Sequence, residues 1–275
     1  MDKKIFAIAL ISLSVNLFSS CSKSDDDDNT SKYSYQKSGK KLVSSTSSLG
    51  KTYTFSYDNY GRVANVVCRK GNNDGWERNT TFNDSSFDYE KIQSDDSSIV
   101  KGSATFNEMG YISTMSQKDE NDKVNEMKMT YNSKGQITSI EHTFKHGDDQ
   151  ETVNYAWIWE NNDISKYETH LIDYFGNPMV MADEYIYTND VVTTPIENKG
   201  LMTLFQGYYD VEEEVNRLML GLACEHLPVE IKNENEISKF EWTLDADGYP
   251  VKVKITDKVS FVEKVYETTY DFTWK

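Results

Sequence analysis

YTFSYDNYGRVANVV, residues 53–67, is the stretch whose reading decides the fold. Tyr53, Phe55 and Tyr57 alternate with Thr54 and Ser56, so an extended chain turns its aromatic rings to one side and its hydroxyls to the other. Asp58-Asn59-Tyr60-Gly61 follows with turn chemistry, and a second apolar run begins at Val63. One hairpin is therefore written in fifteen residues.

The same pattern recurs. ATFNEMGYISTM from Ala104, MKMTYNSKGQITSI from Met127, NYAWIWENNDISKY from Asn154 and FEWTLDADGYPVKV from Phe240 each run through alternating aromatic or apolar residues, a turn and a second apolar strand. The turn residues Gly61, Gly110, Gly135 and Asp163 are spaced by 49, 25 and 28 residues, the first gap being a doubled period with a degenerate turn near Asn83-Asp84. A unit of about 25 residues, two strands and two turns, repeats along the chain. Turns at Asn72-Asn73-Asp74-Gly75, Asp119-Glu120-Asn121-Asp122 and His146-Gly147-Asp148-Asp149 supply residues that tolerate positive φ. After several turn glycines the apolar spacing becomes three, as from Ile112 to Met115 and Ile137 to Ile140, which predicts a bulge in each hairpin and a curled sheet.

One segment departs from period 2. Asp210-Val211-Glu212-Glu213 carries an N-cap with a glutamate three residues on. Val211, Val215, Leu218, Met219 and Leu222 follow at helical spacing, predicting a short amphipathic helix over roughly residues 210–220 that ends near Gly221 and Pro228. The fold class expected is all-β: an up-and-down antiparallel barrel or strongly curled sheet of hairpins with this one α-helix.

The N-terminus sets the location. Lys3 and Lys4 precede an apolar run from Ile5 to Phe18, too short to span a bilayer and shaped like a secretory signal. Leu17-Phe18-Ser19-Ser20-Cys21 resembles a bacterial lipobox, in which the cysteine receives a diacylglycerol group before cleavage; Phe18 stands where Leu, Val or Ile is usual. Lys23-Ser24-Asp25-Asp26-Asp27-Asp28 resembles the short tag of surface-displayed Bacteroidetes lipoproteins, and by composition alone it is a solvated tether. The division expected is a signal peptide at 1–20, an acidic tether at 21–32 and one hairpin-repeat domain at 33–275. Its partner would be the lipid of the outer membrane through Cys21, facing the cell exterior.

Composition narrows the function. The first twenty residues hold two lysines and one aspartate, so the mature chain has 27 basic and 44 acidic residues and a formal charge of −17. Nucleic acid is excluded as a partner, since phosphate binding needs clustered Lys and Arg. Cys68 and Cys224 are read as two buried thiols, with a disulfide the alternative.

Hairpins of this kind, the helical segment, GLACEHLP from Gly221 and LDADGYPVKVKIT from Leu244 resemble a Bacteroidetes lipoprotein family of unknown function with a porin-like fold, over roughly Tyr33 to Lys275. Tyr57-Asp58-Asn59-Tyr60-Gly61-Arg62 is also similar to the YD repeats of secreted toxin shells. The resemblance implies a barrel of about 14 to 16 strands and brings no active site with it.

The chemistry motifs are sparse. No nucleophile elbow, phosphate loop or His-Glu-x-x-His occurs, and no cofactor is expected. His142 and His146 lie about 13 Å apart if extended, His170 and His226 stand alone, and no metal site is expected. Asp245-x-Asp247-Gly248 opens like a calcium loop, but Thr256 occupies the twelfth position, so a plain turn is read. Glu160, Glu184 and Glu241 are the first carboxylates to consider for a hydrolase. Trp157, Trp159 and Trp242 could stack sugar rings or could fill the core. The reading is a binding or structural module for extracellular polymers such as glycans, with a carboxylate hydrolase and a small pore as alternatives. The alternating last strand, Tyr266 to Trp274, is what raises the pore; a mean hydropathy of −0.67 and short turns oppose it.

Overall fold

A computed structural model describes residues 39–275 apart from 72–73, 95–96, 120–122, 148, 173–175, 202–219 and 261–263. The helix expected at 210–220, the signal segment and the tether lie outside the described residues.

The strands are β1 (Leu42–Ser47), β2 (Lys51–Tyr57), β3 (Val63–Lys70), β4 (Asp74–Phe82), β5 (Ser86–Gln93), β6 (Ile99–Phe106), β7 (Ile112–Lys118), β8 (Val124–Tyr131) and β9 (Ile137–His146). They continue as β10 (Asp149–Glu160), β11 (Asp163–Ile172), β12 (Pro178–Ile186), β13 (Ile196–Glu197), β14 (His226–Leu227), β15 (Glu230–Lys232), β16 (Glu236–Leu244), β17 (Pro250–Val259) and β18 (Lys264–Trp274). Sixteen of them close into an antiparallel barrel, each beside its sequence neighbour except where β12 passes directly to β15. The seam joins β1 to β18, with Leu42 opposite Trp274 and Ser47 opposite Tyr270. The choice between barrel and curled sheet is thus settled as a closed barrel. β13 and β14 pair with each other in a separate two-stranded sheet.

Four hairpin turns are built alike, for a reason legible in their residues. Asp58, Asn107, Asn132 and Asp245 each accept, on Oδ1, the backbone N–H groups two and four residues on at 2.9–3.1 Å. The glycine three residues on has φ between +82° and +85°, a left-handed conformation that only glycine adopts without cost. The strand after each turn holds one extra residue. Between Thr105/Phe106 and Thr114/Ile112 this is Ser113, and the same shift follows the turns at Gly61, Gly135 and Gly248. These are the bulges that the three-residue apolar spacing predicts, and they add twist that helps the sheet to close.

One face of every long strand feeds a common buried cluster that includes Phe55, Val66, Phe87, Met115, Ile140, Trp157, Tyr167, Phe240 and Ile255; in a closed barrel that face is the interior. The opposite face is charged. Lys101–Glu90, Lys128–Glu141, Lys145–Glu126, Lys166–Glu168, Lys232–Glu184 and Lys254–Glu267 pair along it at 2.6–3.3 Å.

The chain leaves the barrel after β12 and returns at β15, and its described parts cover the end that carries the glycine turns. Leu222 N–H donates to the Gly135 carbonyl and Glu225 N–H to that of Asn162, at 2.9 and 3.2 Å. Asp163 receives both the backbone N–H and Nδ1 of His226 at 2.8 Å. Leu201, Leu227 and Val229 are buried beneath this cover.

Candidate functional site

The candidate site arises from a mismatch of strand lengths. β15 has three residues and pairs with β12 only through Glu184, Tyr185 and Ile186, so Pro178 to Asp183 bond β11 on one side and meet no strand on the other among the described residues. A groove of about 690 Å³ opens there, toward the end of the barrel opposite the glycine turns. Met179, Val180 and Met181 form its apolar wall, and Asn233, Glu234, Asn235 and Glu236 of the β15–β16 turn face them. Met179 and Met181 are 40% and 51% exposed, high values for residues on the face that β12 shares with buried Tyr185.

The acidic groups beside the groove are not equivalent. Asn233 Nδ2 donates to Asp183 Oδ1 at 2.7 Å, and Lys232 Nζ stands 3.3 Å from Glu184. Glu236 lies diagonally from Asp257 on one face, since Glu236 is opposite Val259 and Ser238 opposite Asp257. Burial, then the charges of Asp257 and Asp183, hold the Glu236 carboxyl above the usual carboxylate range. A carboxyl that holds its proton more tightly than an ordinary glutamate is better placed to donate a hydrogen bond to a ligand hydroxyl or a proton to a leaving group.

Of the hydrolase candidates, only Glu184 lines this groove. Glu160 is an exposed residue at the end of β10, and Glu241 is exposed opposite Lys254. Glu236, Asp183 and Asp257 were missed because Asp183 lies more than fifty residues before the hairpin that carries the other two; the available signal was their place on the apolar phase of their strands.

The tryptophans are placed inside. Trp157 is 3% exposed and packs against Tyr167 at 5.2 Å between ring centroids, so it is a core residue and offers no free face to a sugar. Trp159 and Trp242 are half-buried, their indole N–H groups donating to the Ile137 and Pro228 carbonyls at 2.7 and 2.8 Å. Large rings on the inward phase fill a wide barrel more completely than aliphatic residues would.

The histidines are dispersed. His142 and His146 lie on β9, His170 bonds Glu168 at 3.0 Å and His226 bonds Asp163; no metal-ligating cluster occurs among the described residues. Asp245 and Asp247 both pair with Lys40, at 2.7 and 2.6 Å, in the plain turn read from their spacing. Cys68 and Cys224 are buried thiols.

This architecture, a hairpin-repeat antiparallel barrel with an aromatic interior and a charged exterior, defines the class of protein. The chain belongs to the family described as a domain of unknown function (DUF4595) with porin-like fold, whose model matches residues 55–252. Its fold is similar to that of a porin-like protein from Bacteroides uniformis (15% identity, TM-score 0.62), covering 85% of this chain and 96% of that one. A porin-like protein from Bacteroides vulgatus is also similar (11% identity, TM-score 0.58), covering 84% of this chain and 97% of that one. No curated protein matches the chain significantly.

Proposed function

We propose that the protein is a lipoprotein of the outer membrane, anchored through Cys21 and displayed to the exterior, whose barrel binds extracellular polymers such as glycans without cleaving them. The observation that carries this reading is the outer face of the barrel. A wall laced with lysine–carboxylate pairs is built for water, whereas a spanning barrel needs an outward apolar band about 25 Å tall. That speaks against the pore, and a barrel standing in water needs a tether such as the acidic segment after Cys21. We assign ligand contact to the groove beside β12 rather than to Trp159 or Trp242. Its methionine and valine wall suits the apolar faces of sugar rings, and Asn233, Asn235 and Glu236 suit their hydroxyls.

The raised carboxyl of Glu236 near Asp183 and Asp257 favours one second reading, a hydrolase working from the same groove. A glycan and mucin array probed with the chain from residue 21, carrying Cys21→Ala, separates the two. Saturable binding without breakdown products, weakened by Met181→Asp, supports the module. Products lost in Glu236→Gln support the hydrolase, and silence across the array removes the glycan reading. For the anchor, Cys21→Ala in cells should release the protein from the membrane fraction; retention there would sink that part.

A further inference from the structure

Arg78 follows Trp76 by two residues on β4, so both side chains face the barrel interior, with Val66 and Cys68 opposite on β3 and Lys91 and Gln93 opposite on β5. It is 5% exposed. Four buried side-chain polar atoms lack a hydrogen-bond partner among the described residues, and of these only Arg78 Nε belongs to a permanently charged group. No carboxylate among the described residues pairs with Arg78, in a chain holding 45 acidic residues. The inward-facing Asp183 is on the opposite wall: β12 is eight strands from β4 in either direction around the sixteen-strand ring.

The surroundings of Arg78 supply donors and flat surfaces. Its guanidinium lies 5.5 Å from the centre of the Tyr89 ring. Tyr89 donates its hydroxyl to Gln117 Oε1 at 2.8 Å, which leaves the Gln117 amide N–H groups without an acceptor among the described residues. Lys91, directly across the ladder, places its ammonium 4.6 Å from the centre of the Trp76 ring. Burial without a counter-charge draws the Arg78 guanidinium down to about 10. A guanidinium removed from water is unfavourable unless a partner neutralises it.

We propose that the barrel interior at Arg78 is a binding site for an oxyanion group, a carboxylate or sulfate carried by a ligand, held by the Arg78 guanidinium with the Gln117 amide as a neighbouring donor. The guanidinium fork matches either group, and the Tyr89 and Trp76 rings offer faces to the ligand body. The site is separate from the β12 groove and does not depend on a glycan being bound there.

The test is thermal unfolding of the chain from residue 21 with Cys21→Ala, at constant ionic strength, as chloride is exchanged for sulfate or for galacturonate. The wild-type barrel should be stabilised saturably by at least one of them. Loss of a charge-assisted bond should raise the half-saturating concentration about tenfold or more in Arg78→Met, with Arg78→Lys in between. Gln117→Leu, which leaves the charge in place, should weaken binding without abolishing it. A response to sulfate alone or to galacturonate alone supports the site and names the group. A wild-type response absent for both, or identical in Arg78→Met, overturns the proposal. Without anion, Arg78→Met should melt no lower than wild type, and a clear fall would make Arg78 a packing residue and count against it.

Discussion

The Trp159 indole N–H donates to the Ile137 carbonyl at 2.7 Å, joining the end of β10 to the first residue of β9. The relationship recurs around the ring. Tyr57 reaches Leu42, Tyr131 reaches Ile112, Tyr187 reaches Ile164 and Trp274 reaches Pro250, each donating to a backbone carbonyl at 2.6–2.9 Å. Every acceptor is the first or second residue of a strand at the capped end, near a bulge or turn where the ladder gives out. The aromatic at the end of a strand thus satisfies a backbone oxygen that regular pairing leaves over.

Trp159→Phe keeps an aromatic ring and removes this bond. The expected loss is about 1 kcal/mol for the bond and about as much again for the smaller ring. For a domain of this size that lowers Tm by roughly 4–8 °C. Thermal unfolding checks it, and an unchanged Tm would mean that the girdle bonds add nothing.

Gly102 lies where Tyr89 must pass. A Cβ there would collide with the Tyr89 ring, and its φ is not in the left-handed region, so crowding alone opposes a side chain. Gly102→Ala should cost about 1–3 kcal/mol. In a Tyr89→Leu background the same substitution should cost much less, and a double-mutant cycle reads the difference.

Much of the barrel was legible because its determinants are local. Asp58, Asn107, Asn132 and Asp245, each with glycine three residues on, fix the turns, and the three-residue spacing after them fixes the bulges. The site was not legible, because it depends on pairings between distant segments. Nothing near Asp183 says that its strand will pair with Glu230–Lys232 after an excursion of more than forty residues, nor that the pairing will stop after three. Arg78 was visible as a cation on the phase of Trp76, but its lack of a counter-charge depends on which walls face each other.

Cys224 should be inert in the folded protein. Burial pushes its thiol up to about 12 despite hydrogen bonds that favour the thiolate. At pH 8 the thiolate is then about one part in ten thousand. Iodoacetamide should leave Cys224 and buried Cys68 unmodified in the native state and alkylate both in denaturant without reductant. Rapid native labelling of Cys224 would contradict its burial, and protection of both in denaturant would reveal a disulfide.

Glu236 gives the groove a pH dependence whose sign follows from its surroundings. Burial, then Asp257 and Asp183, hold its folded carboxyl above the usual range, so the folded state keeps a proton that the unfolded chain releases. Stability from this residue therefore falls as pH rises from the ordinary glutamate range through the raised folded value; below both values it makes no difference. Glu236→Gln, which cannot ionise, should raise Tm at pH 8, and the gain should shrink on acidification and vanish below the ordinary glutamate range. Asp257→Asn should reduce that gain, because it removes the larger of the two charge effects. Melting curves of the wild type, the two single variants and the double variant from pH 3.5 to 8 (an interval chosen around ordinary carboxylate titration) test the chain of cause. A gain independent of pH would reflect packing and leave the Glu236 carboxyl with no raised value for a hydrolase to use.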